Sequence, residues 1–81
     1  MITIKYFASL KTLSGRAEER VDLGAETTLE TLCAAIRQPE IREMIRRKKI
    51  MVSVNQNMVP LDFVIRDGDE VALLPPFSGG V

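Results

Sequence analysis

Residues 66–80 read RDGDEVALLPPFSGG, and the way this stretch is built decides the architecture of the whole chain. Arg66-Asp67-Gly68-Asp69 is a turn signal, because aspartate side chains bond nearby backbone and glycine accepts a positive φ. Glu70 to Leu74 then forms a strand. Val71, Ala72, Leu73 and Leu74 are apolar at both parities, which suits a central strand with both faces covered. If helices cover only one face, part of the other must meet a partner protein. Pro75 and Pro76 cannot continue strand pairing and fix the exit direction, Phe77 offers an aromatic anchor, and Ser78, Gly79 and Gly80 leave a slender chain. Stretched out, the four residues from Phe77 to Gly80 reach about 13 Å, enough to enter a narrow channel on another protein. No ionisable side chain lies between Pro75 and Gly80, so the group such a tail can deliver is a terminal carboxylate. A carboxylate is a poor electrophile at neutral pH and needs activation, for instance as an acyl-adenylate.

Upstream, Ile2, Ile4 and Tyr6 alternate with Thr3 and Lys5, the period of a strand with one buried face; Phe7 breaks that alternation. ASLKTLSG has Leu10 and Leu13 three apart and Gly15 at a stop position, predicting a short helix. A second strand is expected from about Ala17 to Leu23, ended by Gly24. The principal helix is expected to start at Thr27-Thr28-Leu29-Glu30, whose spacing fits a capping box, and to carry Leu29, Leu32, Cys33 and Ile36 on one stripe until Pro39 interrupts it. A shorter helix follows with Ile41, Met44 and Ile45 inward. It ends in Arg46-Arg47-Lys48-Lys49, which complements a helix C-terminus; docking of an acidic partner is the other use for such a run. Ile50 to Val54 is strand-like, Asn55-Gln56-Asn57 a turn, and Met58-Val59 a return stopped by Pro60. The order implies an α+β fold with a mixed sheet of four or five strands packed on one main helix, and no repeats or linkers.

The 81 residues make one small domain, and 46% apolar content is enough for one two-layer core but leaves no room for a deep internal cleft. Lysines and arginines balance aspartates and glutamates at 11 each, which argues against nucleic acid or an acidic membrane surface as the principal partner. No apolar run approaches membrane-spanning length. Without histidine, the usual general base, the serine and cysteine triads and most zinc sites are excluded. Cys33 is the single cysteine, so no internal disulfide forms and a reducing, cytoplasmic setting is expected. Its place between Leu32 and Ile36 makes it a core residue rather than a nucleophile. Asp67, Asp69 and Glu70 lack the distal glutamate of a calcium loop, the glycines are too scattered for a phosphate cradle, and no metal site is expected. An ordinary self-sufficient enzyme does not fit these residues.

RDGDEVALLPPFSGG closely resembles the C-terminal signature of the small subunit of molybdopterin synthase, a family of sulfur carriers with the ubiquitin-like β-grasp fold. IKYFASLKTLSG resembles that family's opening strand and short helix, and Val54-Asn55 falls where the family commonly has this pair. The resemblance implies a β-grasp domain over residues 1–76 and a flexible tail over 77–81. It implies that Gly80, preceded by Gly79, carries the reactive carboxylate, and that Leu74, Pro75, Pro76, Phe77 and Ser78 meet the partner. An activating enzyme of the ubiquitin-activating, adenylyltransferase type would use ATP to adenylate that carboxylate, and a sulfur donor protein would convert it to a thiocarboxylate. No cofactor would be bound by the chain itself. The large synthase subunit would supply the catalytic groups for transfer to cyclic pyranopterin monophosphate, two sulfurs per dithiolene, within a heterotetramer. Val81 departs from the pattern: it follows Gly80, and its branched side chain would crowd a narrow channel; trimming to expose Gly80 is expected, the alternatives being tolerance of the extra residue or a carrier inactive as encoded. A carrier for thiamine or another thiolated product, a protein modifier joined to lysines, and a non-catalytic binding domain are the alternatives.

Overall fold

The computed structural model describes residues 1–24 and 26–75. Among the described residues seven strands and three helices follow in the order β1 (Ile2–Tyr6), α1 (Ser9–Ser14), β2 (Glu18–Val21), β3 (Glu26–Thr28), α2 (Leu29–Ala34), α3 (Pro39–Arg46), β4 (Met51–Val54), β5 (Asn57–Met58), β6 (Val64–Arg66) and β7 (Glu70–Leu74). Five strands form one sheet in the order β2-β1-β7-β4-β5, and β3 pairs with β6 in a second, two-stranded sheet. β7 is central, as expected, but only one of its faces is covered: Val71 and Leu73 are buried, whereas Ala72 and Leu74 on the other parity are half-buried. It runs parallel to β1, with Ile4 opposite Val71 and Tyr6 opposite Leu73, and antiparallel to β4, with Val52 opposite Leu73. The remaining pairs in the larger sheet, β1·β2 and β4·β5, are antiparallel.

One face of this sheet makes the core. Ile2, Ile4 and Tyr6 of β1, Val52 and Val54 of β4, and Val71 and Leu73 of β7 pack against Leu29, Leu32, Cys33 and Ile36 and against Ile41 and Ile45. The expected apolar stripe is therefore buried whole, but α2 is shorter than expected, with Leu29, Leu32 and Cys33 on it and Ile36 just past its end. α2 stops at Ala34, where its last turn tightens through Ala35 N–H to Leu32 O and Ile36 N–H to Cys33 O. Pro39 opens α3 instead of merely closing α2. It sits in the first turn, where its missing N–H costs no helical bond, and it keeps Gln38 extended at φ −81 and ψ 113.

The helix cap lies one residue beyond the expected position, and it is a simple N-cap rather than the expected capping box with Glu30. Thr28, not Thr27, is the N-cap, its Oγ1 accepting the Thr31 N–H at 3.2 Å. Thr27 is already paired with Ile65 in the β3·β6 ladder, so it cannot leave the extended chain to cap a helix. Leu29 and Glu30 donate their free N–H groups to Phe63 O (2.9 Å) and Leu61 O (2.8 Å), bonds that sequence spacing does not reveal.

Two turns hold the strands of the core in register. Asn55 and Gln56 take positive φ values of 50° and 73°, which fits the tight β4–β5 hairpin. Asn55 also reaches across to the turn before β7: its Nδ2 donates to Asp69 Oδ1 (3.0 Å), its Oδ1 accepts the Glu70 N–H (3.0 Å), and Asp69 Oδ2 accepts the Arg66 N–H (2.8 Å). The Asn55 and DGDE motifs thus form a single clip, and Asp69 acts as a turn residue.

Cys33 is 6% exposed, and burial pushes its thiol up to about 11. The thiol should stay protonated at neutral pH and react with iodoacetamide only when the chain unfolds; rapid alkylation of the folded protein would contradict this. Because the folded-state value is raised from 9.0, its contribution to stability is complete below about pH 9 and is lost as pH rises through about 11. The expected loss across that window is on the order of 2 kcal/mol, read from urea midpoints and reduced in Cys33→Ala.

Candidate functional site

The sheet's second face is uncovered, and the strand register fixes what it presents. Lys5, Ala72, Ser53 and Met58 lie directly opposite one another across β1, β7, β4 and β5. One row further toward the end of β7, Leu74 lies opposite Met51. Phe7, just past β1, donates its N–H to Leu73 O at 3.2 Å and so lies beside the same strand end. Phe7 is 42% exposed, whereas Met51, Leu74 and Pro75 are half-buried. At the opposite end of the face Lys5 Nζ pairs with Glu70 Oε2 at 2.6 Å; this hydrogen bond and the carboxylate's charge raise the lysine's pKa. The face is thus apolar where the chain leaves β7 and charged where β7 begins.

Of the residues singled out in the sequence, Leu74 and Pro75 are placed. Leu74 ends β7, and Pro75 follows outside the ladder, consistent with its missing N–H. Pro76, Phe77, Ser78, Gly79, Gly80 and Val81 lie outside the described residues. Sequence reasoning did not assign Phe7, Met51 and Met58 to a binding surface. The signal existed only for Phe7, whose break in the β1 alternation continues an apolar residue onto the solvent-facing parity.

A shallow pocket of about 270 Å³ lies beside this end of the sheet, between Lys5, Phe7, Ala8, Lys11 and Glu18. Ala8 holds φ 52 and ψ −127, and Phe7 O accepts the Leu10 N–H at 3.0 Å, so Ala8 occupies the first central position of a type II′ turn, where glycine is preferred. Such a conformation costs a residue with a Cβ about 1–3 kcal/mol. Ala8→Gly should therefore stabilise the fold by about 1 kcal/mol after the added entropy of the unfolded glycine, raising the thermal midpoint by about 5 °C. A lowered midpoint in calorimetry would refute this account of the turn.

The site is an apolar patch at the end of β7, just before residues 76–81, and among the described residues no catalytic constellation surrounds it. Among the described residues no group of three His, Cys, Asp or Glu side chains is arranged to hold a metal ion, and no helix is long and apolar enough to cross a membrane. Residues 4–80 match the ThiS family. The chain belongs to that family. A molybdopterin synthase sulfur carrier subunit from Chlamydomonas reinhardtii is 36% identical over 98% of this chain and 98% of its own length. The corresponding subunit from Escherichia coli is 32% identical over 99% of this chain and 100% of its own. Among solved structures, SAMP1 from Haloferax volcanii superposes with a TM-score of 0.80 at 29% identity, covering 98% of both chains. The α+β, ubiquitin-like β-grasp reading and the resemblance to sulfur carriers both stand. In this ThiS-family chain the DGDEV motif is the half of the clip that meets Asn55 and leads into β7.

Proposed function

We propose that this ThiS-family chain is the sulfur carrier subunit of a molybdopterin synthase and that its working group is the carboxyl of Gly80. A family match that runs unbroken to residue 80, over a tail without ionisable side chains, carries this reading. The peptide bond between Gly80 and Val81 is hydrolysed first. An adenylyltransferase then joins the freed carboxylate to the AMP of ATP, releasing pyrophosphate, and hydrosulfide supplied by a donor protein displaces AMP to leave the thiocarboxylate. The resulting thiocarboxylate gives its sulfur to cyclic pyranopterin monophosphate in the large subunit and returns as a carboxylate. Glycine suits the repeated acyl chemistry because no side chain shields either face of its carbonyl. The apolar patch of Phe7, Met51 and Leu74 supports docking of the large subunit beside the tail, since burying such a patch supplies binding energy without covalent chemistry. On this reading the carrier works in the cytoplasm, within a heterotetramer of two carriers flanking a dimer of large subunits.

The deciding measurement is intact mass after incubation with ATP, an activating enzyme and a sulfur donor. Replacement of one oxygen by sulfur on a species ending at Gly80 is expected, and the same replacement on a chain that retains Val81 would overturn the trimming step. The likeness to SAMP1, described as a small archaeal modifier protein, supports a second reading in which the activated Gly80 acyl group is passed to lysines of other proteins. Conjugates linked through lysine in cell extracts would favour that reading; a terminal thioacid without conjugates favours the carrier.

A further inference from the structure

Among the described residues Ala8, Lys48, Asn55 and Gln56 are the non-glycine residues with a positive φ. Asn55 and Gln56 make the β4–β5 hairpin, and the Asn55 side chain is needed for the clip to Asp69 and Glu70. Lys48 follows α3, where its N–H donates to Ile45 O at 3.0 Å and the Lys49 N–H to Met44 O at 2.7 Å, the bonds of a Schellman stop. Ala8 is different. Its φ of 52° with ψ −127° lies outside the left-handed helical region and in one where glycine is strongly preferred. The far end of the same short helix meets its own positive φ, 80°, with Gly15.

The methyl group responsible for this strain is not used inside the free chain. Ala8 is exposed, and the bonds that fix the turn, Leu10 N–H to Phe7 O and Lys11 N–H to Ala8 O at 3.0 Å each, come from backbone atoms that a glycine also has. Ala8 instead lines the pocket of about 270 Å³, together with Tyr6, Phe7 and Ala17. Phe7 belongs both to this pocket and to the patch at the end of β7, so the two are one continuous surface. The charges at the pocket select neither sign: Lys11 and Glu18 oppose each other, and Lys5 is already bound to Glu70. We propose that Ala8 is a contact residue of the docking surface, its methyl group and the Phe7 ring seating one apolar side chain of the large subunit in this pocket. An apolar occupant follows because a methyl group offers dispersion contact and no hydrogen bond. The turn gives up stability in the free carrier and gains contact in the complex, as strained residues at binding sites do. This inference rests on the carrier reading and extends its docking face past Phe7.

The test measures calorimetric binding of the large subunit to full-length carriers, with each unfolding midpoint recorded. Ala8→Gly should raise the midpoint and yet weaken binding about fourfold, the value of one buried methyl group. A turn with only a structural role would not lose affinity as it gains stability. Gln56→Gly is the control: it relieves a φ of 73° in the hairpin beside Glu70, at the other end of β7 from Leu74. It should raise the midpoint and leave affinity unchanged. In a carrier with ¹³C-labelled alanine methyl groups and an unlabelled large subunit, the Ala8 methyl should give intermolecular NOEs to apolar side-chain protons, and the Ala34 methyl, on α2, none. Three results would overturn the role of Ala8 while leaving the docking face standing, provided that Leu74→Glu binds weakly: unchanged or tighter binding by Ala8→Gly, an equal loss in Gln56→Gly, or no NOE from the Ala8 methyl. Parental binding by Leu74→Glu would overturn both.

Discussion

A chain lacking Gly79, Gly80 and Val81 is expected to keep its fold and to lose sulfur transfer in a reconstituted synthase by more than about a thousandfold, equivalent to more than about 4 kcal/mol in the barrier. The loss is this large because the reacting atom is removed, not merely displaced. Stability should barely change: the core cluster runs from Ile2 to Leu73, and Leu73 lies well before the deletion. Circular dichroism and the thermal midpoint check the fold, and intact mass with a pterin sulfuration assay checks the chemistry. Two further chains separate the steps. One ending at Gly80 should be adenylated without any protease, and one with Gly80→Val and no residue beyond it should be activated far more slowly, because a branched side chain flanks the carbonyl. Sulfur transfer by the truncated chain would end the carrier assignment.

What the sequence made legible follows from how local each signal is. β7 could be placed at the centre because its burial demand is written into consecutive residues, Val71 to Leu74, and the structure puts β1 and β4 on its two sides. The stripe from Leu29 to Ile36 is equally local. The β3·β6 ladder was not legible: only Glu26 to Thr28 and Val64 to Arg66 take part, and just one residue of β6, Ile65, is buried. That invisible pairing is also what moved the helix cap from Thr27 to Thr28, since an observer of spacing alone cannot know that Thr27 is engaged elsewhere. The tail beyond Pro75 lies outside the described residues, and the role proposed for Gly80 rests on composition, where the absence of ionisable side chains is itself a pattern. The patch beside its root was not, as it assembles Phe7, Met51 and Leu74 from three strand ends that only the sheet order brings together.

The second large effect belongs to that patch. Leu74→Glu, and independently Met51→Glu, should weaken association with the large synthase subunit by about 30- to 1,000-fold, the range for losing about 2–4 kcal/mol at the centre of an interface. Both side chains are half-buried on the uncovered face, opposite each other in the β4·β7 register, so a carboxylate at either site keeps access to water in the free carrier. Docking removes that water and leaves the charge among apolar groups, which is where the penalty arises. Met58→Glu is the internal comparison. It changes the same residue type to the same charge on the same face, but opposite Ser53 near the sheet edge at 60% exposure, so its effect should be within about fivefold of the parent. Binding measured calorimetrically, with each variant's unfolding midpoint recorded alongside, distinguishes a docking defect from a folding defect. If all three variants bind alike, the tail alone holds the complex together, and the globular body contributes nothing beyond carrying it.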